Sequence, residues 1–485
     1  MFRTLRERGD APALLVHAGT LTGPDDGDTP AGDDLAGQLA AGFAAASELV
    51  RQASRASAGG PRPDLLVISE RAVDVSGHDP LRPANSALTA LVRTLPAEDV
   101  VAHARLVDLG DFVAARDLAE EVRDRAGDPL VALRGDRRWV PVERPLALTP
   151  GTDAPLREGG VYLVTGGTGG LGGVVAKALA GTGQRPVLIL TGRKATPHPE
   201  LLAELAESGA TAEIAACDVV DRTALTALLD DVTRRHGPVN GVFHLAGVAG
   251  SGMVAFTSTA KAAAAFEPKA HGAVALARAF AGRPPLDLFV AFSSRSVLEG
   301  VAGGADYAAA NAVLDALVRS GVPTAERLLT VDWPRWKDVG MGVPVDPGAG
   351  LDPERGGALL LELLAARTPR QVAVRHFADG RPTAAHPAAR ARTAPAPRPA
   401  PVAAAHGGAG PATTADRLGA LWTALLGRTE ITHDADFFDL GGNSLTAVEL
   451  MSRVRDEFGV DLGIVVLFDH PTLEALADQI DRREA

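Results

Sequence analysis

The chain has only two tyrosines, and one of them, Tyr307, stands in a setting that suits proton transfer. Ser294 lies thirteen residues before it, at the end of an apolar run, and Asn311 lies four residues after it. On a helical pattern that spacing puts Tyr307 and Asn311 on one face. Lys269, in Glu267-Pro-Lys-Ala-His-Gly272, is the only plausible ammonium in the segment before the serine. A ketone that receives a hydride becomes an alkoxide and needs a proton. A tyrosine supplies it when nearby positive charge acidifies the phenol, and a serine hydroxyl can hold the same oxygen. A lone tyrosine is more often an ordinary packed residue; the three partners at workable places favour the chemical reading.

A hydride donor has its own signature. Val161-Tyr-Leu-Val-Thr165 reads as a strand, Gly166-Gly-Thr168-Gly169-Gly170-Leu171-Gly172 as a loop, and Val174 to Ala180 as a helix. Glycines let the backbone turn tightly and approach a pyrophosphate, and the helix start offers unpaired N–H groups. After the next strand, Val187–Leu190, an NAD site would carry a carboxylate for the ribose; here Arg193 and Lys194 follow. Two cations suit a 2′-phosphate, so NADPH is expected over NADH. Asp218 and Val219 end the following strand, where an adenine would lie, with Cys217 as a small buried apolar neighbour. Ala246 and Gly247 end the fourth, beside the nicotinamide ribose.

The elements that must position these groups divide the 485 residues into four parts. Residues 1–150 alternate strands (Ala13–His17, Asp64–Ser69, Ala104–Asp108, Pro129–Arg134) with helices (Ala36–Ala53, Pro83–Leu95), but contain no Gly-rich phosphate loop. That half reads as structural. Residues 151–385 repeat the alternation, adding strands at Glu213–Ala216, Gly241–Leu245, Leu288–Phe292 and Leu328–Val331, which predicts a doubly wound parallel sheet. Residues 386–412 are almost all Ala, Pro, Arg, Gly and Thr, a semi-extended tether. Residues 413–485 form a small acidic helical unit.

The formal net charge of −12 argues against nucleic acid and anionic membranes as partners. One cysteine allows no internal disulfide or cysteine metal cluster, and no metal site is expected. The N-terminus lacks the apolar core of a secretory signal, and no run is apolar enough to span a bilayer. A soluble cytoplasmic protein is expected.

The strings "TGGTGGLG", "ACDVVDR", "FHLAG", "FSSRS" and "DYAAANAVLDAL" resemble the short-chain dehydrogenase/reductase family, and more narrowly the ketoreductase domains of modular polyketide synthases. The order Lys, Ser, Tyr belongs to that subgroup, with Asn311 where the wider family carries its lysine. The resemblance extends back through "VDVSGHDPLRPANSALTALVRTLPAED" and "LVALRGDRRWVPVERPL". It implies two Rossmann-like subdomains, the first degenerate and structural, the second catalytic. It also implies that Tyr307 is the acid, that Ser294 orients the carbonyl, and that Lys269 and Asn311 hold the proton relay. A first β-α-β unit is missing before Met1, so a piece of a longer synthase is expected. Two markers of product hand are absent: Ala249-Gly-Ser251 replaces Leu-Asp-Asp, and Glu299 stands where a Trp would. The first absence leans toward an L-hydroxy product. Glu299 is either a solvated loop residue or a group that meets an unusual substrate.

In the last unit, Gly441-Gly442-Asn443 precedes Ser444 at the start of an amphipathic helix. Helix capping alone explains an isolated Ser there. Yet "FFDLGGNSLTAVEL" with "GVDLGIVVLFDHPTLEALADQI" resembles acyl and peptidyl carrier domains, Asn443 being the peptidyl-type residue. The resemblance implies 4′-phosphopantetheine on Ser444, attached by a phosphopantetheinyl transferase. The implied substrate is a carrier-bound acyl thioester, and the implied partners are other synthase domains, ketosynthase and acyltransferase. A redox-silent epimerase, a docking scaffold and a reductase of small soluble ketones are the competing readings.

Overall fold

A computed structural model describes residues 4, 8, 12–21, 34–56, 61–149, 156–341 and 350–375, and in the last unit 413–426, 428, 431–437, 440, 444–460, 462, 466–467 and 470–484. The tether at 386–412 lies outside these. Branched and leucine-rich runs form strands and the Ala-rich stretches between them form helices, as their propensities favour. In the first half the strands β1 (Leu14–His17), β2 (Asp64–Glu70), β3 (Ala104–Leu109), β4 (Leu130–Arg134) and β5 (Arg137–Trp139) lie side by side in that order. The first four are parallel and β5 returns antiparallel on β4.

The second half holds β6 (Val161–Thr165), β7 (Val187–Gly192), β8 (Thr211–Ala216), β9 (Val239–His244), β10 (Leu286–Ser294), β11 (Ala325–Trp333) and β12 (Gln371–Ala373). They form one parallel sheet in the order β12, β11, β10, β9, β6, β7, β8. The order reverses between β6 and β9, where ligands of such sheets bind beyond the strand carboxyl ends.

The expected strands are present with their ends shifted by a residue or two, except β11, which begins three residues early at Ala325. β5 and β12 add to them. Three-residue edge strands carry no apolar alternation to read. The helix expected at 36–53 runs from Leu35 to Ala56 with one wider π turn at Ala40–Ala44. The helix after the Gly-rich loop starts at Gly170, earlier than Val174, so Leu171 and Gly172 are already helical.

The two halves share one core. The helix Pro83–Thr94 of the first packs along the helix Ala305–Arg319 of the second, and only Arg93 and Tyr307 interrupt the buried faces before Arg319. A separate cluster in the last unit packs Leu418, Trp422, Phe437, Leu450 and Ile480 between the helices Thr414–Leu426, Ser444–Phe458 and Leu473–Glu484. Met253, from the loop after β9, is buried in that cluster, and Phe256 packs against both it and the shared core. Among the described residues, no helix is long and apolar enough to cross a membrane.

Candidate active site

Tyr307 sits in the first turn of the helix Ala305–Arg319, and Ser294 closes β10. The Ser294 hydroxyl and the Asn311 side chain both engage the phenol. They oppose the stronger effect of burial, which raises the Tyr307 pKa and keeps the phenol protonated. Asn311 is fully buried, and its Nδ2 donates to the Tyr307 carbonyl at 2.8 Å, one helical turn back. Its Oδ1 is buried without a partner among the described residues. Lys269 donates from Nζ to the Phe292 carbonyl, two residues before Ser294. Burial pulls its ammonium down to about 8, against the pull of buried Asp315. Lys269 also lies close to Gly247, where an added Cβ would come within 2.9 Å of its Cε. The four residues therefore converge on one end of the sheet.

The Gly-rich loop follows β6 at the switch point. Gly166 has φ +70°, and an added Cβ would come within 2.9 Å of Ala246 N, the loop after β9. A side chain there would push apart the two loops that flank the crevice. Gly172 packs so close to Gly167 that a Cβ would approach to 2.5 Å, which brings the helix hard against the loop. Gly169 caps the helix without a side-chain hydrogen bond, and among the described residues its first N–H groups are open to an anion. Thr168 lies against Gly192, at the end of β7. Arg193 and Lys194 are exposed just beyond, with no ion-pair partner among the described residues. Asp218 is half-buried and accepts from Val220 N–H at 3.2 Å; Val219 is buried. Burial pushes the Cys217 thiol up to about 11, so it behaves as an apolar filler. These residues fit a dinucleotide: an open helix start, a loop only glycine can form, and free cations beside β7.

Three residues the sequence reading passed over belong to the surroundings. His244 is fully buried, with Nδ1 2.7 Å from Thr165 Oγ1 and Nε2 3.1 Å from the Lys269 carbonyl; burial lowers its pKa to about 3, so it stays neutral. Its place at the end of an apolar strand was a usable signal. Glu98 and Asp306, both buried, bond to loops beside Tyr307. Glu299 pairs with Arg295 at 2.6 Å and is more than half exposed, so it is a solvated ion-pair residue. Ser444 opens the helix Ser444–Phe458, while its side chain and residues 441–443 lie outside the described residues.

Residues 160–338 match the KR domain family and residues 416–480 the phosphopantetheine attachment site family. The spectinabilin polyketide synthase system protein NorB of Streptomyces orinoci is 36% identical over 359 residues, 67% of this chain and 16% of NorB. The pikromycin polyketide synthase component PikAIII of Streptomyces venezuelae is 32% identical over 86% of this chain and 30% of its own length. The chain thus spans less than a third of these relatives. Among solved structures, the ketoreductase PlmKR1 from the first module of phoslactomycin biosynthesis in Streptomyces sp. HK803 is 32% identical with a TM-score of 0.58, over 68% of this chain and 79% of that one. A structure of A-type ketoreductases from a modular polyketide synthase is also 32% identical, with a TM-score of 0.60 over 76% and 78%. The chain belongs to the modular polyketide synthases, as a ketoreductase domain fused to a phosphopantetheine-type carrier domain.

Proposed function

We propose that this chain reduces the β-keto group of a carrier-bound polyketide thioester to a β-hydroxy thioester with NADPH. The observation that carries the reading is the convergence of Ser294 and Asn311 on a protonated, buried Tyr307 beside the switch point of a dinucleotide-type sheet. When bound, NADPH supplies a hydride to the carbonyl carbon. Ser294 holds the carbonyl oxygen, and Tyr307 gives that oxygen its proton as charge develops. The Lys269 ammonium is the source from which a proton returns to the phenol, and Asn311, whose Oδ1 is an open acceptor, holds the relay between them. The Gly166–Gly172 loop and the open helix start hold the pyrophosphate, Arg193 and Lys194 the 2′-phosphate, Asp218 and Val219 the adenine, and Ala246 and Gly247 the ribose beside the ring.

Ser444 carries 4′-phosphopantetheine, installed by a phosphopantetheinyl transferase, and the chain so tethered enters the reductase cleft. Tethering raises the local concentration, so weak contacts suffice. The burial of Met253 in the carrier cluster supports a carrier seated on the loop beside Tyr307. The acyl chain comes from partner synthase domains, a ketosynthase and an acyltransferase. With Gly250 and Ser251 in place of an acidic pair, the L-hydroxy product is expected.

The test mixes the chain with NADPH and a short β-ketoacyl pantetheine thioester, follows cofactor absorbance, and resolves the alcohol on a chiral column. Oxidation that Tyr307→Phe abolishes supports the reading. NADPH binding without oxidation favours an epimerase, and no NADPH binding a scaffold.

A further inference from the structure

Two loops flank Tyr307, and both are held by one side chain from the opposite half of the molecule. Glu98 ends the short 3-10 turn Leu95–Glu98 that continues the helix Pro83–Thr94, and it is fully buried. Its Oε2 accepts from Val254 N–H at 2.7 Å, and its Oε1 accepts from Gly303 N–H at 3.0 Å. Val254 belongs to the loop after β9. Gly303 belongs to the loop that leads from Ser294 to Tyr307. A single planar carboxylate therefore fixes the spacing of the two loops.

Neighbouring contacts leave little room for either loop to move. Asp306, next to Tyr307, accepts from Ser251 N–H at 3.0 Å and from the Ser251 hydroxyl. A Cβ on Gly250 would lie 3.0 Å from the Gly303 carbonyl, so the loops are in near backbone contact. Gly300 has φ +69°, and a Cβ on it would come within 2.5 Å of the Arg93 carbonyl, the helix end that carries Glu98. Arg93 donates to the Val297 carbonyl at 3.1 Å. A buried carboxylate bears a large desolvation cost, which only well-made hydrogen bonds offset. An apolar side chain would fill the same space without that cost, but it would tie neither loop.

We propose that Glu98 is a positioning residue for the reduction: it sets the gap between the loop at 250–254 and Tyr307, and so the face of the ketone that is presented. The inference rests on the reductase reading above.

The test uses the full chain, NADPH and the β-ketoacyl pantetheine thioester. For Glu98→Ala we expect kcat to fall about tenfold or more, because small misplacements of reacting groups are costly. The two alcohols should move toward an even ratio, with NADPH affinity unchanged. Glu98→Gln keeps the shape and one acceptor oxygen but turns an N–H toward the other loop. It should give intermediate turnover and an intermediate ratio, and it replaces Glu98→Ala should the latter not fold.

Hydrogen exchange at the Val254 and Gly303 amides gives a readout independent of turnover. Both should exchange about tenfold faster or more in the variants, while the β6 amides hold. Wild-type turnover, ratio and exchange in the variants would overturn the proposal. So would an even loss across cofactor affinity, turnover and exchange everywhere, which marks plain destabilisation. If the wild-type chain oxidises no NADPH, the reductase reading fails. In that case selective exchange at the two amides still supports the loop tie, and unchanged exchange refutes it.

Discussion

The two α/β halves are both built on parallel strands, but their strand orders differ, and so do the carboxyl ends of their sheets. In the second half, the carboxyl ends of β6 and β9 are left to a glycine loop and an open helix start. In the first, the strand ends are tied from within. Arg134, at the end of β4, donates to Asp79 at 2.9 Å, to Asp108 at 2.8 Å and to the Val73 carbonyl at 2.9 Å. Asp108 is fully buried near the end of β3, and its other oxygen accepts from Ala72 N–H at 2.8 Å. This ion cluster ties the carboxyl ends of β3 and β4 together, in a sheet whose described strands run β1 to β5 without the reversal at which a parallel sheet ordinarily receives a ligand. One half leaves an open crevice and the other a tied sheet end, and the contribution proposed for the first half passes through the helix Pro83–Thr94 and Glu98.

That comparison can be broken or sharpened. The largest effect is expected from Tyr307→Phe, which removes the proposed proton donor. Turnover should drop by about 10²–10⁴-fold with NADPH affinity intact, measured by cofactor oxidation and fluorescence titration; a small drop would assign the proton elsewhere. Arg134→Ala strips buried Asp108 of its partner and should cost about 3–5 kcal/mol of stability, read by thermal or urea unfolding. NADPH affinity of the folded fraction should not change, since the proposed cofactor site lies in the other half. Arg193→Ala, in that other half, should do the reverse. It should weaken NADPH by about 1.5–3 kcal/mol and NADH hardly at all, with stability unmoved.

The smallest effect is a pH dependence. The Lys269 ammonium is pulled down to about 8 from its ordinary 10.5. Activity should therefore fall as pH rises through about 8, as the ammonium loses its proton. Stability should change in the opposite sense. Between about 8 and 10.5 the unfolded chain still holds the proton that the folded one has lost, so stability rises with pH there and is lost as pH falls through 8. Lys269→Met should flatten both slopes.

Much of this was legible in the sequence. The glycine loop, the paired cations and the Ser294–Tyr307–Asn311 spacing are local, and local spacing survives folding. The helix start at Gly170 was missed because glycines read as loop, although a helix N-terminus tolerates them. Glu98, Asp306 and the Arg134–Asp108 cluster were not legible. Their partners lie far away in the chain: Glu98 and Gly303 are 205 positions apart. Nothing in "LPAED" announces which backbone N–H groups a fold will bring to a carboxylate.

The helix Pro83–Thr94, buried along nearly its whole circumference, also bears on descent and recombination. A helix clasped on all sides ties the histories of the two halves together, because a change on one side of the seam must be met on the other. Any exchange of reductases between synthases then has to move both halves as one inherited piece. Junctions that fall in the Ala/Pro-rich stretch at 386–412 should be tolerated, while those between 95 and 160 would join strangers across a shared core.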